Sequence, residues 1–288
     1  MIPIILCGGE GRRLYPLSTK ERPKQFLKPD GKHTLLQETA LRYSAMCMQA
    51  PLIICNENHF ELVQDNMLAI NLTPERILCE PFARNTGPAI TAAVISATLN
   101  RNIDDDPVLL IAPSDHVFTK PENFNRALKS AEKLAQLGHI VTFGVKPDKP
   151  HTGYGYIQRA EELDAGVFKI QAFHEKPDKD TAQEYLKSGQ YFWNSGIFCF
   201  KASSFLKDIK KHAPQIYTPC EQAVKKAIEQ DRAVLLNVEA FQQTPSISFD
   251  HALMEKTDLG VVIELDAGWS DIGSLQAFQK YQATLRNE

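Results

Sequence analysis

A glycine-rich, basic segment follows the first apolar stretch of the chain, Ile2–Cys7, and its residue types suit phosphate binding. Gly8, Gly9 and Gly11 let the backbone approach a phosphate closely and turn its N–H groups inward as an anion nest. Between positions 8 and 33 seven Lys and Arg face three Asp and Glu, a local charge of +4 in a chain of −3. A segment this long is more than a simple connection. We therefore expect it to bind a polyphosphate.

Two common phosphate-binding motifs fit this segment poorly. A Walker A loop requires G-x-x-x-x-G-K-[ST], and the chain has no such run. The dinucleotide fingerprint requires G-x-G-x-x-G, but Leu14 stands where the third glycine belongs. A Rossmann dehydrogenase is therefore a weak alternative.

Two aspartates follow apolar stretches of the kind that form buried strands. Asp115 comes after Pro107–Pro113, and Asp271 lies in a Gly-Trp-Ser-Asp-Ile-Gly turn after Val261–Leu265. Magnesium usually takes one or two carboxylates together with waters and phosphate oxygens, so two such residues suffice for a site. Taken alone, each aspartate is equally compatible with helix capping. Only the fold can bring together residues that are 271 − 115 = 156 positions apart.

The elements that must position these residues alternate in the first 113 positions. Four continuously apolar stretches predict buried strands, and three amphipathic stretches between them predict helices. The strands are Ile2–Cys7, Pro51–Asn56, Arg76–Pro81 and Pro107–Pro113, and the helices are Leu35–Met48, Phe60–Ile70 and Gly87–Arg101. Thr34 and Gln37 have the spacing of a capping box. This alternation predicts a parallel sheet with helices on both faces, in which ligands bind at the carboxyl ends of the strands.

The second part of the chain predicts more strands than helices. Its strands are Ile140–Val145, Tyr154–Arg159, Val167–Phe173, Tyr191–Phe200 and Val261–Leu265, and its helices are Pro121–Leu137, Asp178–Ser188, Ser203–Ile228 and Gly273–Tyr281. We find no repeat and no obvious linker. The sequence therefore predicts one α/β domain with a mixed, mostly parallel sheet, residues 1–115 forming its first half and residues 116–288 its second.

Composition restricts the class of protein. The 32 basic and 35 acidic residues argue against a nucleic-acid coat or a polybasic membrane binder. No apolar run approaches the roughly 20 residues of a membrane span, and the N-terminus does not resemble a signal peptide. The six cysteines are scattered without a C-x-x-C pair, which favours reduced, buried thiols. We expect a soluble cytoplasmic protein.

Seven ordered blocks of sequence resemble the bacterial mannose-1-phosphate guanylyltransferases. The first is Gly-Gly-Glu-Gly-Arg-Arg-Leu-Tyr-Pro-Leu-Ser at 8–18, followed by Pro-Lys-Gln-Phe-Leu at 23–27. The others begin at Arg84, Ser114, Thr152, Glu175, Trp193 and Trp269, so the resemblance runs from Ile2 to about Phe278. Such enzymes join GTP to mannose 1-phosphate with magnesium, release pyrophosphate and have a Rossmann-like nucleotidyltransferase fold.

The resemblance implies a role for each matching residue. Arg13 contacts the triphosphate, Lys24 bridges the α-phosphate and the sugar phosphate, and Asp115 and Asp271 bind Mg²⁺. The nucleotide-binding positions are Leu6, Gly8, Gly9, Gly11, Arg12, Arg13, Arg84, Asn85, Thr86 and Pro88. The positions that line the hexose pocket are Gly155, Glu175, Lys176 and Asn194. Structural support is expected of His116, Asp250 and Glu255.

Some features depart from the family or stay open. Arg12 replaces the usual Ser or Thr, and Leu275 replaces a frequent Trp. Bacterial members often continue into a C-terminal isomerase domain, and relatives are usually homodimers. The alternatives are another sugar-1-phosphate nucleotidyltransferase, with a different base or hexose, and an inactive regulatory subunit that senses sugar nucleotides. The latter would be expected to lose Arg13, Lys24, Asp115 or Asp271, and all four are present.

Overall fold

A computed structural model describes residues 1–9, 14–99 and 105–286 of the chain. Within these ranges the strands assemble into one large sheet and one small two-stranded ribbon. The strands before residue 150 are β1 Ile2–Cys7, β2 Leu52–Asn56, β3 Arg76–Glu80, β4 Val108–Pro113, β5 Val117–Phe118 and β6 Ile140–Val145. Those after it are β7 Tyr156–Asp164, β8 Val167–His174, β9 Tyr191–Lys201, β10 Ile228–Gln230, β11 Ala233–Leu235, β12 Gly260–Glu264 and β13 Trp269–Ser270.

The helices cover both faces of the large sheet. They are α1 Leu35–Cys47, α2 Phe60–Leu68, α3 Thr86–Thr98, α4 Pro121–Gln136, α5 Lys179–Ser188, α6 Ala202–His212, α7 Pro214–Lys225, α8 Val238–Gln242 and α9 Leu275–Leu285. Short 3₁₀ turns cover Lys24–Phe26 and Glu57–His59, and a π-helical turn covers Asp250–Met254. No helix within the described ranges is long and apolar enough to cross a membrane.

The strand order of the large sheet is β10-β11-β3-β2-β1-β4-β9-β6-β12-β8-β7. Strands β3, β2, β1 and β4 are parallel neighbours, so their carboxyl ends lie at one edge. Beyond β4 the sheet becomes mixed, because β9 runs antiparallel to both β4 and β6. The predicted α/β class, with a parallel core and helices on both faces, is confirmed.

Apolar side chains on the two faces of the sheet form two separate cores. One core includes the nearly all-buried helix α3, and the other includes the apolar faces of α1 and α4. The capping box that starts α1 is present: the Thr34 hydroxyl accepts from the Gln37 backbone N–H at 3.1 Å, and the Gln37 side chain accepts from the Thr34 N–H at 2.9 Å. This geometry confirms the prediction made from two residue types three positions apart.

The prediction of one helix over Ser203–Ile228 was wrong. The chain breaks at Ala213, whose φ of −143° is extended, and continues as a second helix from Pro214. A residue that precedes proline is driven away from the helical region by the proline ring, which accounts for the break. Ile228 begins the hairpin β10–β11, whose second strand adds to β3 in parallel.

The other predicted bounds differ by a few residues. The strand predicted to start at Tyr154 starts at Tyr156 and runs to Asp164. Helix α3 starts one residue earlier than predicted and ends at Thr98, whereas the predicted end at Arg101 lies outside the described residues.

Candidate active site

The first two loops of the parallel core meet because their strands are in register. Strand β1 pairs with β4 so that Leu6 lies opposite Pro113, and the Ser114 N–H donates to the Leu6 carbonyl at 3.0 Å. The glycine segment follows β1, and Asp115 follows β4. The glycine segment and Asp115 therefore lie at the same edge of the sheet, as the carboxyl-end rule predicts.

Lys24 lies between the two predicted metal-binding segments. Its side chain is only 9% exposed, and its Nζ lies 2.8 Å from Asp115 Oδ2. The same ammonium group donates to the backbone carbonyl of Asp271 and, at 3.4 Å, to that of Ile272. The next residue, Gln25, donates to the Cys7 and Gly9 carbonyls at 3.2 and 3.1 Å. One short turn thus fixes both a buried cation and the start of the glycine segment.

The ribbon of β5 and β13 brings Asp271 to Asp115. Ser270 lies opposite Val117 and Trp269 opposite Phe118, so the residues on either side of these pairs become neighbours. Gly268 precedes the ribbon with φ +61°, and a Cβ there would lie 1.8 Å from Thr119 Oγ1. A side chain at position 268 would force Thr119 to move, and the positive φ also favours glycine. Asp115 and Asp271, 156 positions apart, are thus brought together through a turn that suits glycine.

The Asp271 carboxylate is held by two donors. The Tyr154 hydroxyl donates to its Oδ1 at 2.7 Å, and the Gly273 backbone N–H donates to the same oxygen at 3.0 Å. Ile272, between Asp271 and Gly273 in the chain, is fully buried and has φ +46°, an unusual conformation for a β-branched residue. Such conformations persist where the surroundings enforce them and occur often at functional sites.

His116 supports this arrangement as a neutral imidazole. Burial is the main cause that lowers its pKa to about 4, and the nearby Lys24 ammonium acts in the same direction. Its Nδ1 accepts from the Trp269 indole N–H at 3.2 Å, and its carbonyl accepts from Arg42 at 3.2 Å. These contacts agree with the expected structural support.

A second cluster lies beside the first and is joined to it by Tyr154. The Gly155 carbonyl accepts from the Asn194 N–H at 2.8 Å, and a Cβ on Gly155 would lie 2.9 Å from Glu175 Oε2. The exposed Lys176 ammonium pairs with Glu175. The structure thus brings the four predicted sugar-pocket residues together.

Asp250 completes this second cluster, although the sequence indicated only structural support for it. Asn194 Nδ2 donates to Asp250 Oδ1 at 3.0 Å, and burial raises the pKa of Asp250 to about 7, with the Glu175 charge adding to the effect. The sequence around Asp250 does not predict its proximity to Glu175, which is a property of the fold. The cluster therefore offers carboxylate, amide and ammonium groups, which are suited to sugar hydroxyls.

The segment Arg84–Thr86, which the resemblance predicts to contact the base, caps a helix and contacts α8. Asn85, with φ +67°, caps α3 by accepting from the Thr86 N–H at 2.8 Å, so the capping role is present. Arg84 instead donates to the Gln242 carbonyl at 3.2 Å and stacks 4.9 Å over the Phe82 ring. The Arg84 guanidinium therefore contacts α8 and the Phe82 ring.

Three residues in the predicted site segments have a backbone with positive φ. Six non-glycine residues have left-handed φ in the described part of the chain, and three of them, Asn85, Lys176 and Ile272, lie in predicted site segments. Leu6 is the second-last residue of β1, just before the glycines, and Pro88 lies in the first turn of α3. Gly11, Arg12 and Arg13 lie outside the described residues, so their predicted contacts stay predictions.

Comparison with known proteins agrees with this geometry. A family model described as Nucleotidyl transferase matches residues 2–288. Mannose-1-phosphate guanylyltransferase of Salmonella muenchen is 44% identical over 274 residues, which are 95% of this chain and 58% of that protein. The chain thus spans less than two thirds of the length of this curated relative.

Solved structures share the fold. A crystal structure described as mannose-6-phosphate isomerase from Helicobacter pylori is 34% identical, with a TM-score of 0.79 over 93% of this chain and 99% of that one. UDP-glucose pyrophosphorylase complexed with UDP-glucose is 14% identical, with a TM-score of 0.65 over 100% of this chain and 99% of that one. The latter likeness concerns the fold alone. The Rossmann-like nucleotidyltransferase architecture predicted from the sequence is confirmed.

Proposed function

Because this chain belongs to the nucleotidyl transferase family, we propose that it transfers a guanylyl group from GTP to mannose 1-phosphate, giving GDP-mannose and pyrophosphate. The observation that carries the proposal is the contact of Lys24 with both Asp115 and Asp271 beside the glycine segment. The name and 44% identity of the Salmonella muenchen relative support the choice of base and hexose.

The reaction requires charge neutralisation more than proton transfer. A phosphate oxygen of mannose 1-phosphate attacks the α-phosphorus of GTP, and the bond between that phosphorus and the oxygen bridging to the β-phosphate breaks. A phosphate monoester has its second pKa near ~6, so the nucleophile is already an oxyanion at neutral pH. Catalysis then consists of aligning two polyanions and stabilising the charge that develops. Lys24, held rigidly by three contacts, is suited to bridge both phosphates.

The carboxylates fit a magnesium ion. Asp115 and Asp271 supply hard oxygen donors, and Mg²⁺ commonly uses one or two carboxylates while phosphate oxygens and waters complete its shell. Within the described ranges no group of three or more His, Cys, Asp or Glu is arranged to hold a metal. When bound, the ion would neutralise phosphate charge. Asp271 is oriented for this role by the Tyr154 hydroxyl and the Gly273 N–H.

The two halves of the domain would each bind one of the two substrates. We assign residues 1–115 to the nucleotide, with Gly8 and Gly9 near the phosphates and the segment Arg84–Thr86 near the base. Residues 116–288 would bind the sugar through Gly155, Glu175, Lys176 and Asn194, in the second cluster. Cytoplasmic location and a homodimer stay predictions, the latter measurable by light scattering.

The reaction is tested by pyrophosphate release with Mg²⁺ over a matrix of substrates. GTP, ATP, UTP and dTTP are each combined with mannose 1-phosphate and with glucose 1-phosphate. Release confined mainly to GTP with mannose 1-phosphate supports the proposal, whereas another productive pair moves the specificity and keeps the mechanism. If folded protein releases no pyrophosphate with any substrate pair, the regulatory-subunit alternative is favoured. Isomerisation of mannose 6-phosphate is assayed in parallel, because the Helicobacter pylori neighbour is named for it.

Matched variants test the assigned residues. Lys24→Ala and Asp271→Asn are expected to abolish turnover while the protein stays folded. The chain offers a control in the exposed ion pair between Lys120 and Asp266, whose charged atoms lie 2.9 Å apart. Lys120→Ala and Asp266→Asn are expected to keep near-normal rates, since exposed pairs contribute little. Near-normal rates in both Lys24→Ala and Asp271→Asn would remove the catalytic assignment.

A further inference from the structure

Two lysines of the basic segment take no part in the proposed chemistry and line a cavity of about 450 Å³. Lys28 and Lys32 lie on one side of this cavity, in the loop that precedes α1. Gln282, Leu285 and Arg286 lie on the other side, at the end of α9. This space, which we call the basic cavity, therefore lies between the end of the basic segment and the last described helix.

The three cations of the basic cavity lack counter-charges. Neither Lys28, Lys32 nor Arg286 forms an ion pair with any residue that the structure describes. Asp30 is the one acid among the described residues of the lining, and its Oδ1 already accepts from the Lys32 and His33 backbone N–H groups at 2.7 and 2.9 Å. Three cations against one carboxylate leave a net charge of +2. Like charges that converge without counter-ions repel one another, so the basic cavity favours an anion.

The size and lining of the basic cavity indicate a ligand larger than an inorganic anion. Sites for small organic molecules commonly enclose about 300–1,000 Å³, and a single phosphate ion would fill only a small part of such a space. Pro29 and Leu285 add apolar surface beside the cations. An arginine can bind a phosphate through two parallel hydrogen bonds, and lysines add point charges. The lining is thus suited to a phosphate group attached to a small organic body.

The basic cavity is connected to both parts of the candidate active site. Gln282 Nε2 donates to the Pro29 carbonyl at 3.0 Å, so α9 already contacts the loop. The loop follows the turn that carries Lys24, and α9 begins shortly after Asp271. One apolar cluster contains residues from both segments, namely Leu27, Ile272 and Phe278. A ligand that neutralises the cations would hold the loop against α9 and so stabilise the positions of Lys24 and Asp271.

We propose that the basic cavity binds a small phosphate ester, the size of a sugar phosphate or a nucleoside monophosphate, as an effector at a site separate from the substrates. The phosphate contacts Lys28, Lys32 and Arg286, and the organic body contacts Pro29 and Leu285. Binding removes the repulsion among the three cations, so it raises thermal stability and lowers the Mg²⁺ concentration at half-maximal rate. Reciprocity of coupled sites requires that Mg²⁺ and GTP tighten the ester by the same factor.

Isothermal titration calorimetry at fixed ionic strength measures the binding. The probes are ribose 5-phosphate, glucose 6-phosphate and AMP, with ribose, glucose and adenosine as controls that lack the phosphate. Inorganic phosphate is the bare anion. We expect at least one ester to bind more than tenfold tighter than inorganic phosphate, and its phosphate-free control not to bind. Added salt should weaken the ester, because the cations that contact it are exposed.

Single substitutions locate the bound ester. Lys28→Ala, Lys32→Ala and Arg286→Ala are each expected to weaken it about five- to tenfold, between the effect of an exposed ion pair and that of a hydrogen bond to a charged group. Because these side chains are exposed, the variants should fold and keep the basal rate.

Two further variants serve as controls. Lys207 is an exposed lysine on α6 that does not line the basic cavity, so Lys207→Ala should bind the ester as wild type does. Lys24→Ala alters the proposed substrate site and should keep the affinity for the ester within about threefold. Thermal unfolding of every variant, with and without the ester, checks the fold and measures the stabilisation.

Four results would overturn the inference. If no ester binds at millimolar concentration, the cavity is not such a site, and if inorganic phosphate binds equally well, it holds an adventitious ion only. Loss of binding in Lys24→Ala together with wild-type affinity in Lys28→Ala and Lys32→Ala would place the ester in the substrate site. Binding that leaves pyrophosphate release and its Mg²⁺ dependence unchanged would remove the effector role. Calorimetry needs no turnover, so failure of the proposed reaction would be recognised separately.

Discussion

The hydroxyl of Tyr154 lies between Asp271, the proposed metal ligand, and the second cluster, the proposed sugar site, so its removal tests whether Asp271 must be oriented. Tyr154→Phe removes the hydroxyl that donates to Asp271 Oδ1 at 2.7 Å and keeps the aromatic ring. The phenyl ring keeps its stack on His151, with ring centroids 3.9 Å apart, and its edge contacts with Trp193 and Trp269 at 5.2 and 5.4 Å.

The expected loss in kcat depends on the hydrogen bond that the Asp271 carboxylate keeps. A hydrogen bond to a charged group is worth about 1.5–3 kcal/mol net. The Gly273 N–H still donates to the same oxygen at 3.0 Å, so we expect the lower end of that range. A loss of about 1.5 kcal/mol in the transition state lowers kcat roughly tenfold. The free energy of unfolding should fall by a comparable amount, about 1.5 kcal/mol, because this hydrogen bond is lost while the ring contacts persist.

The assay measures kcat and both KM values by pyrophosphate release, and repeats them over a titration of Mg²⁺. We expect kcat to fall, the Mg²⁺ concentration at half-maximal rate to rise, and KM for GTP to change little. Tyr217→Phe is the matched control, because its hydroxyl donates to Glu221 Oε1 at 2.8 Å within α7. That variant should leave all kinetic constants near wild type.

Three results would contradict the reasoning about Tyr154. A kcat within twofold of wild type would mean that Asp271 acts without this hydrogen bond. An equal loss in the Tyr217→Phe variant would mean that removing any such tyrosine hydroxyl slows the enzyme, whatever its position. An unchanged Mg²⁺ dependence with a lower kcat would assign Tyr154 to the sugar and not to the metal site.

Three more predictions test the sugar cluster and the ribbon. Gly155→Ala would place a Cβ 2.9 Å from Glu175 Oε2, so steady-state kinetics should show KM for mannose 1-phosphate rising roughly tenfold, with KM for GTP little changed. The pKa of Asp250 is raised to about 7, so its contribution to stability is full below about pH 4 and is lost as pH rises to 7; Asp250→Asn should flatten that part of a curve of Tm against pH. Gly268→Ala should lower the free energy of unfolding by at least about 2 kcal/mol in urea and abolish turnover, because left-handed strain is joined by a clash at 1.8 Å. Gly189→Ala, with φ +65° and open space, should cost only the strain, about 1 kcal/mol, and equal losses at both positions would exclude the clash.

The parts of the fold that the sequence could predict have strong local signals. Buried parallel strands are continuously apolar, and the capping box at Thr34 needs only two residue types three positions apart. The carboxyl-end rule then places the glycine segment and Asp115 at one edge without any knowledge of side-chain contacts. These predictions were confirmed because each depends on local chemistry or on a general property of parallel sheets.

The parts that the sequence could not predict depend on contacts distant in the chain. The ribbon strands β5 and β13 have two residues each, which is too short for any periodicity. The proximity of Asp250 to Glu175 exists only after folding, and so does the burial of a Glu80 oxygen that has no hydrogen-bond partner among the described residues. The Arg84 contact with Gln242 joins residues 158 positions apart. No pattern within one segment of the sequence carries such information.

The ribbon also sets the order in which the site can be completed. The glycine segment, Lys24 and Asp115 all precede residue 116, so they emerge from a ribosome well before β13. The carbonyl groups that Lys24 contacts at Asp271 and Ile272 come more than 150 residues later. Contacts of such long range form late, because the intervening chain must first be ordered. A growing chain that has folded its parallel strands would therefore hold the basic glycine segment without Asp271, the second proposed metal ligand, and the proposed reaction would begin only when the last ribbon strand pairs.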